Sequence, residues 1–144
     1  MDFLEKMGYK LDPVAAIQKA LEKWSPTKYE TEKDYEESLY GYLHKKFDDS
    51  SIDIAKQSAV GRKKADIRIG KEAIIELKKD LDNTGQYDRL MGQIEEYLQW
   101  EGTTFIILVG KSDLNLKKKL IQKAKSSRSM HGFDFVAKLI VLEK

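Results

Sequence analysis

Asp66, Glu76 and Lys78 bring two carboxylates and an ammonium into a stretch, Gly61 to Lys78, that otherwise reads as two strands with apolar faces. Ala65, Ile67 and Ile69 alternate with Asp66 and Arg68, and Ala73, Ile75 and Leu77 alternate with Ile74, Glu76 and Lys78. This is the period of a β-hairpin, with Gly70-Lys71-Glu72 as its turn. A turn centred on Lys71 sets Asp66 opposite Glu76, with Cβ atoms about 5 Å apart, and Lys78 one step further along the same face. A bulge at Gly70 would shift this register by one residue. Carboxylates that close repel each other unless a cation lies between them or a proton is shared. Oxygen ligands on adjacent strands suit Mg²⁺ or Mn²⁺, which keep several waters and accept one or two carboxylates together with phosphate oxygens. No thiolate or imidazole is near in sequence, which argues against zinc. On spacing alone, a solvated strand face with a surface salt bridge accounts for the same residues.

The charge around the hairpin is uneven. Between Lys56 and Lys79, the bases Lys56, Arg62, Lys63, Lys64, Arg68, Lys71, Lys78 and Lys79 stand against only Asp66, Glu72 and Glu76, although the chain's formal net charge is +2. The excess surrounds the carboxylates, where it attracts phosphate, and makes Arg62, Lys63, Lys64 and Lys79 candidate nucleic-acid contacts. A second basic run, Lys117-Lys118-Lys119 with Lys111, Lys123, Lys125 and Arg128, reads as the solvated face of a surface helix.

The elements that must position these groups follow in order. Asp12-Pro13 starts a helix with the apolar stripe Val14, Ile17, Leu21 and Trp24, and Ser25-Pro26 stops it. Thr31 caps a second helix running to about Phe47, with Leu39, Leu43 and Phe47 as its core face. Glu36 shares that inward face, whereas Glu37 is rotated to the side, and either could be the helix carboxylate nearest the hairpin. A strand over Ile52 to Gln57 leads into the basic loop Gly61 to Lys64. After a loop from Asp80 to Gly85, a helix reaches about Trp100, with Gln86, Leu90, Gln93 and Tyr97 on one stripe. Thr103 to Gly110 is a continuous apolar run, as for a strand buried on both faces. A helix over Leu114 to Lys125 and a last strand from about Phe133 to Leu142 complete the chain.

This order specifies an α/β domain over residues 1–144, with a helical extension over about 1–28 and an αβββαβ core whose mixed central sheet has helices on both faces. At 144 residues one domain is expected. No apolar run approaches the length of a membrane span, and the absence of cysteine removes disulfides, thiolate zinc sites and cysteine nucleophiles together. Residues 1–12 carry no signal-peptide core, so a cytoplasmic location is expected. The histidines, His44 and His131, are far from the hairpin in sequence, which leaves metal-independent acid–base hydrolysis without support.

Taken together, Glu36, Asp66, Glu76-Leu77-Lys78 and Gln93-x-x-x-Tyr97, in this element order, resemble the PD-(D/E)XK nuclease superfamily, whose fold is that of type II restriction endonucleases and archaeal Holliday junction resolvases. The match spans about Thr31 to Val109. The resemblance implies a restriction endonuclease-like fold and Mg²⁺-dependent hydrolysis of DNA. It implies that Asp66 and Glu76 hold the metal with the Leu77 carbonyl, and that Glu36 binds it directly or through water. Lys78 would orient or activate the attacking water, and Gln93 and Tyr97 would support the site or contact the DNA strand, as in RecB-type relatives. Ala65 rather than Pro precedes Asp66, a departure at a variable position of the pattern. A homodimer would place two such sites on two strands. Some members of the superfamily keep the fold without cutting, so the alternative is a catalytically silent nucleic-acid-binding or assembly module.

Overall fold

The computed structural model describes residues 1–131 and 134–144. Helices α1 (Phe3–Leu11), α2 (Pro13–Lys23) and α3 (Glu32–Lys46) precede strands β1 (Ile54–Val60), β2 (Lys63–Ile69) and β3 (Ala73–Lys79). Next come α4 (Thr84–Tyr97), β4 (Thr103–Val109), α5 (Leu114–Ser126), β5 (Arg128–His131), β6 (Asp134–Ala137) and β7 (Leu139–Glu143). The main sheet is mixed, in the order β1-β2-β3-β4-β7, antiparallel up to β3 and parallel from there on. Strands β5 and β6 form a separate two-stranded sheet. Among the described residues no helix is long and apolar enough to cross a membrane.

Alternation along the central strands divides the core between two helical layers. Ile75, Leu77, Phe105 and Ile107 pack with Ile17, Leu21, Leu39 and Leu43 of α2 and α3. Ile106 and Leu108 pack on the opposite face with Leu90 and Ile94 of α4 and Leu116 and Leu120 of α5. All of β4 is buried, which is why its sequence is apolar at successive positions. The helix starts are set locally, by Asp12 accepting from Ala15 N–H, Thr31 from Asp34 N–H, and Asn83 with Gln86 in a capping box.

Four elements differ from the sequence reading. Helix α1 is missed, because it buries none of its residues and leaves Phe3, Leu4, Met7 and Leu11 exposed, so no core-facing stripe announces it. Residues 1–28 are more than an extension, since Ile17, Ala20, Leu21 and Trp24 join the main core. Strand β1 runs on to Val60, which pairs with Lys63 and leaves only Gly61-Arg62 as the turn. Gly61 has φ +60°, as the first central residue of a two-residue hairpin turn requires, so Lys63 and Lys64 belong to β2 and not to a loop. The single last strand is instead β6 and β7, broken at Lys138; its expected start, Phe133, lies outside the described residues. The Lys138 ammonium donates to the carbonyls of Trp100 (3.2 Å), Glu101 (3.2 Å) and Gly102 (3.0 Å), tying the break to the end of α4.

Gly102 also sets the closeness of β3 and β4. A Cβ there would meet the Trp100 ring and would stand 2.7 Å from the backbone carbonyls of both Lys71 and Glu72. Backbone cannot yield as a side chain tip can. Gly102→Ala is therefore expected to destabilise the protein by about 1–3 kcal/mol, the usual cost of overpacking, as read by denaturant unfolding.

Candidate functional site

Strands β2 and β3 pair only over Ile67–Ile69 with Ala73–Ile75, and beyond that they part. Continued by one residue, their register sets Asp66 opposite Glu76, as a turn centred on Lys71 predicts. The backbone donors exposed by the parting are taken up by side chains. Asp66 N–H donates to Glu76 Oε1 (3.1 Å), and Leu77 N–H donates to Asp66 Oδ2 (2.8 Å). Each carboxylate satisfies an amide that burial would otherwise leave orphaned. The N–H and C=O of one strand residue point to the same side, so the Leu77 carbonyl also faces the fork.

Glu76 is 2% exposed and its oxygens are crowded with donors. Oε1 also accepts from the Tyr97 hydroxyl (3.0 Å); Oε2 accepts from Gln93 Nε2 (3.3 Å) and lies 3.7 Å from Lys78 Nζ. These contacts account for the roughly four lone-pair sites of a carboxylate. Burial, and then the Asp66 charge, push the Glu76 carboxyl well above its ordinary value, against the opposing pull of Lys78 and Tyr97. Burial raises Asp66 as well, opposed by the Leu77 N–H and reinforced by the charges of Glu36 and Glu32. Burial and the Glu76 charge hold the Tyr97 hydroxyl firmly protonated. That hydroxyl lies 2.9 Å from the Lys64 carbonyl, so its one proton is shared between a carboxylate and the start of β2.

The structure distinguishes the two candidate helix carboxylates. Gln57 Nε2 donates to Glu36 Oε1 (3.0 Å) and lies 3.5 Å from Asp66 Oδ1, so Glu36 belongs to the site. Glu37 is exposed and pairs with Lys56 (2.9 Å). Gln57 itself is a functional candidate that sequence reasoning missed, and no periodicity announces it. It sits opposite Asp66 in the β1–β2 register and has φ +51°, a left-handed conformation that costs a residue with a side chain roughly 1–2 kcal/mol. Strain of this kind collects at functional sites. Glu32 was also missed, although it lies one helical turn before Glu36; its Oε2 accepts from Lys79 N–H (3.2 Å).

The basic candidates are only partly gathered in. The Lys79 ammonium is turned to Asp80 (2.7 Å). Arg62, Lys63 and Lys64 are exposed around the β1–β2 turn, linked to the carboxylates through the Lys64 carbonyl and Tyr97. A cavity of about 590 Å³ between α1, α2 and the end of α3 shares no lining residue with this site.

Among the described residues no three His, Cys, Asp or Glu groups already converge as a metal cage. The donor set nonetheless fits a hard divalent cation: it is all oxygen, and Asp66 Oδ1 has only the long Gln57 contact. On Glu76 the loosest contact is the 3.7 Å one from Lys78. Gln93 Oε1 is a buried acceptor with no protein donor among the described residues, and an ion that keeps its waters offers donors of that kind. The model of a family described as a domain of unknown function (DUF8371) matches residues 16–110. No curated protein and no solved structure matches the chain.

The raised carboxyls fix the sign of a pH dependence. From about pH 4, where free carboxyls ionise, up to about 8, the value to which Glu76 is raised, the metal-free folded protein retains protons that the unfolded chain has lost. Stability therefore falls as pH rises through that window. Denaturant midpoints measured at intervals across it should decline for the wild type and decline less for Glu76→Gln, whose amide carries no such proton.

Proposed function

We propose that the chain, which belongs to the DUF8371 family of unknown function, is a Mg²⁺-dependent nuclease of restriction endonuclease-like fold that hydrolyses DNA phosphodiester bonds. The observation that carries this reading is the strand fork, in which Asp66 and Glu76 stand beside Lys78 and under Gln93 and Tyr97. A buried and a half-buried carboxyl side by side, with an ammonium at their edge, are a poor way to stabilise a fold and a good way to prepare a site for a cation and a phosphate. Asp66, Glu76 and the Leu77 carbonyl would hold the metal, with Glu36 reaching it directly or through water. Bound there, Mg²⁺ or Mn²⁺ supplies a Lewis acid and lowers the pKa of a bound water.

The chain's own groups do the rest. Lys78 places positive charge where the phosphorane develops negative charge, and orients the water. Gln93 and Tyr97 fix the Glu76 carboxylate from α4, so that it faces the fork in one orientation. Arg62, Lys63 and Lys64 extend a basic edge along which a phosphate backbone can lie.

A second reading, a nucleic-acid-binding module that does not cut, is favoured by two observations: Gln57 bridges Glu36 and Asp66, and the Glu76 oxygens already have donors. Incubation of the purified protein with Mg²⁺ and plasmid, linear or branched DNA separates the two, since a module of that kind retards DNA without shortening it.

Lys78→Ala is expected to retain Mg²⁺ and DNA binding while cutting at least about a hundredfold more slowly, the scale on which one preorganised electrostatic group acts. Asp66→Ala, measured alongside by Mn²⁺ titration calorimetry, should lose the heat of metal binding. Equal cutting by wild type and Lys78→Ala would remove this site from the chemistry.

Replacing Arg62, Lys63 and Lys64 together by Ala should weaken DNA binding evenly across sequences and flatten its salt dependence by about one unit per lost contact. An unchanged slope would place the DNA elsewhere, with Lys117 to Lys119 as the next surface to test.

A further inference from the structure

Beside the fork, Glu32, Lys78, Lys79, Leu81, Gln86 and Arg89 line a cleft of about 150 Å³. Its lining is rich in donors. Gln86 Oε1 is held by Asp82 N–H (2.9 Å) and Asn83 N–H (3.3 Å), so its Nε2 is fixed in position and has no protein partner among the described residues. Arg89 is exposed, pairs with no carboxylate among the described residues, and folds back over the first turn of α4, where its Nη1 lies 3.7 Å from the position a Cβ on Gly85 would take. Lys78 joins the cleft from β3, with its ammonium 3.7 Å from Glu76 and no closer acceptor among the described residues. The acceptor on the opposite wall, Glu32, has Oε2 engaged by Lys79 N–H, and the Lys79 ammonium is engaged by Asp80. The available donors are therefore Gln86 Nε2 and Arg89 on α4 and Lys78 on β3. Arg89 stands one helical turn before Gln93 and two before Tyr97, so the same helix face that holds Glu76 also presents the guanidinium.

We infer that this cleft binds a backbone phosphate of the substrate strand next to the one that is cut, with Arg89 as its main ligand and Gln86 Nε2 as a second donor. The inference deepens the nuclease reading and rests on it for the word substrate. Its volume admits one phosphate group and not a base pair. A guanidinium matches two phosphate oxygens at once, so this contact fixes the position of the strand along the fork as well as its affinity. Arg89 is then a positioning residue, which sets which bond lies over Asp66 and Glu76. An internal diester and a terminal phosphate monoester share the chemistry that the cleft recognises.

The test uses fluorescein-labelled single strands carrying a 5′-phosphate, a 3′-phosphate or neither, with Ca²⁺ in place of Mg²⁺ and binding read by anisotropy. Arg89→Ala is expected to weaken binding about tenfold and to lower the log–log salt slope by about 0.7, the single-strand value for one phosphate. Arg89→Lys should recover only part of the loss, because an ammonium replaces the charge and not the fork. An equal loss on all three strands assigns the cleft to an internal diester, and a loss confined to one phosphorylated strand assigns it to that terminus. Binding by Arg89→Ala within twofold of wild type with an unchanged slope, or no wild-type binding to any of the strands, overturns the inference. The nuclease reading is judged separately, by wild-type cutting in Mg²⁺. Arginine-dependent binding without cutting would end that reading and leave the cleft assigned as a phosphate site.

Discussion

The exchange of hydrogen bonds between Asp66 and β3 is the interaction on which the rest of the molecule turns. Where β2 leaves β3, two backbone amides, those of Asp66 and Leu77, donate to the carboxylates of Glu76 and Asp66. Hydrogen bonds to charged groups contribute about 1.5–3 kcal/mol each, and an amide or carboxylate left bare in such a place costs a comparable amount. The two residues hold the strands apart and are themselves held in the gap. Neither can be replaced by an apolar residue without orphaning a backbone donor. The site is thus part of the sheet's own bonding.

Everything around the fork either supports it or answers its charge. Ile75 and Leu77 on one face and Ile74 on the other anchor β3 in apolar packing, so that Glu76 is buried by its neighbours on the strand. Helix α3 brings Glu32 and Glu36 to the open side, adding negative charge to negative charge. Helix α4 brings donors, Gln93 and Tyr97, to the other. A domain this small can carry few unfavourable groups of this kind, because one or two kcal/mol is a large part of its total stability.

Much of this was legible in the residues. Strict alternation on both sides of a turn centred on Lys71 determines which residues face each other, so residue order alone pairs Asp66 with Glu76, and the helical spacing of Gln93 and Tyr97 places both on one face. What alternation cannot show is where a ladder stops. The parting of β2 and β3 depends on side chains competing for backbone amides, and nothing in spacing records that competition. Gln57 is hidden for a related reason: its role comes from a left-handed backbone that no residue type but glycine advertises. The break between β6 and β7 is set by Lys138 reaching carbonyls more than thirty residues earlier in the chain, which is beyond any local pattern.

That lysine gives α4 the mechanics of a lever. Its ammonium grips the backbone just past the helix's C-terminal end, and Tyr97 is bolted to both β2 and β3 close by, whereas the capping box at the N-terminal end bonds only to its own turn. The fulcrum therefore lies at Tyr97, and Arg89 rides about 12 Å out along the arm, at 1.5 Å per residue. A tilt of about 5° would move the guanidinium by roughly 1 Å over that arm length while leaving the carboxylate contact at Tyr97 almost where it was. Substitutions beneath Leu90 would then move Arg89 before they change how Glu76 is held.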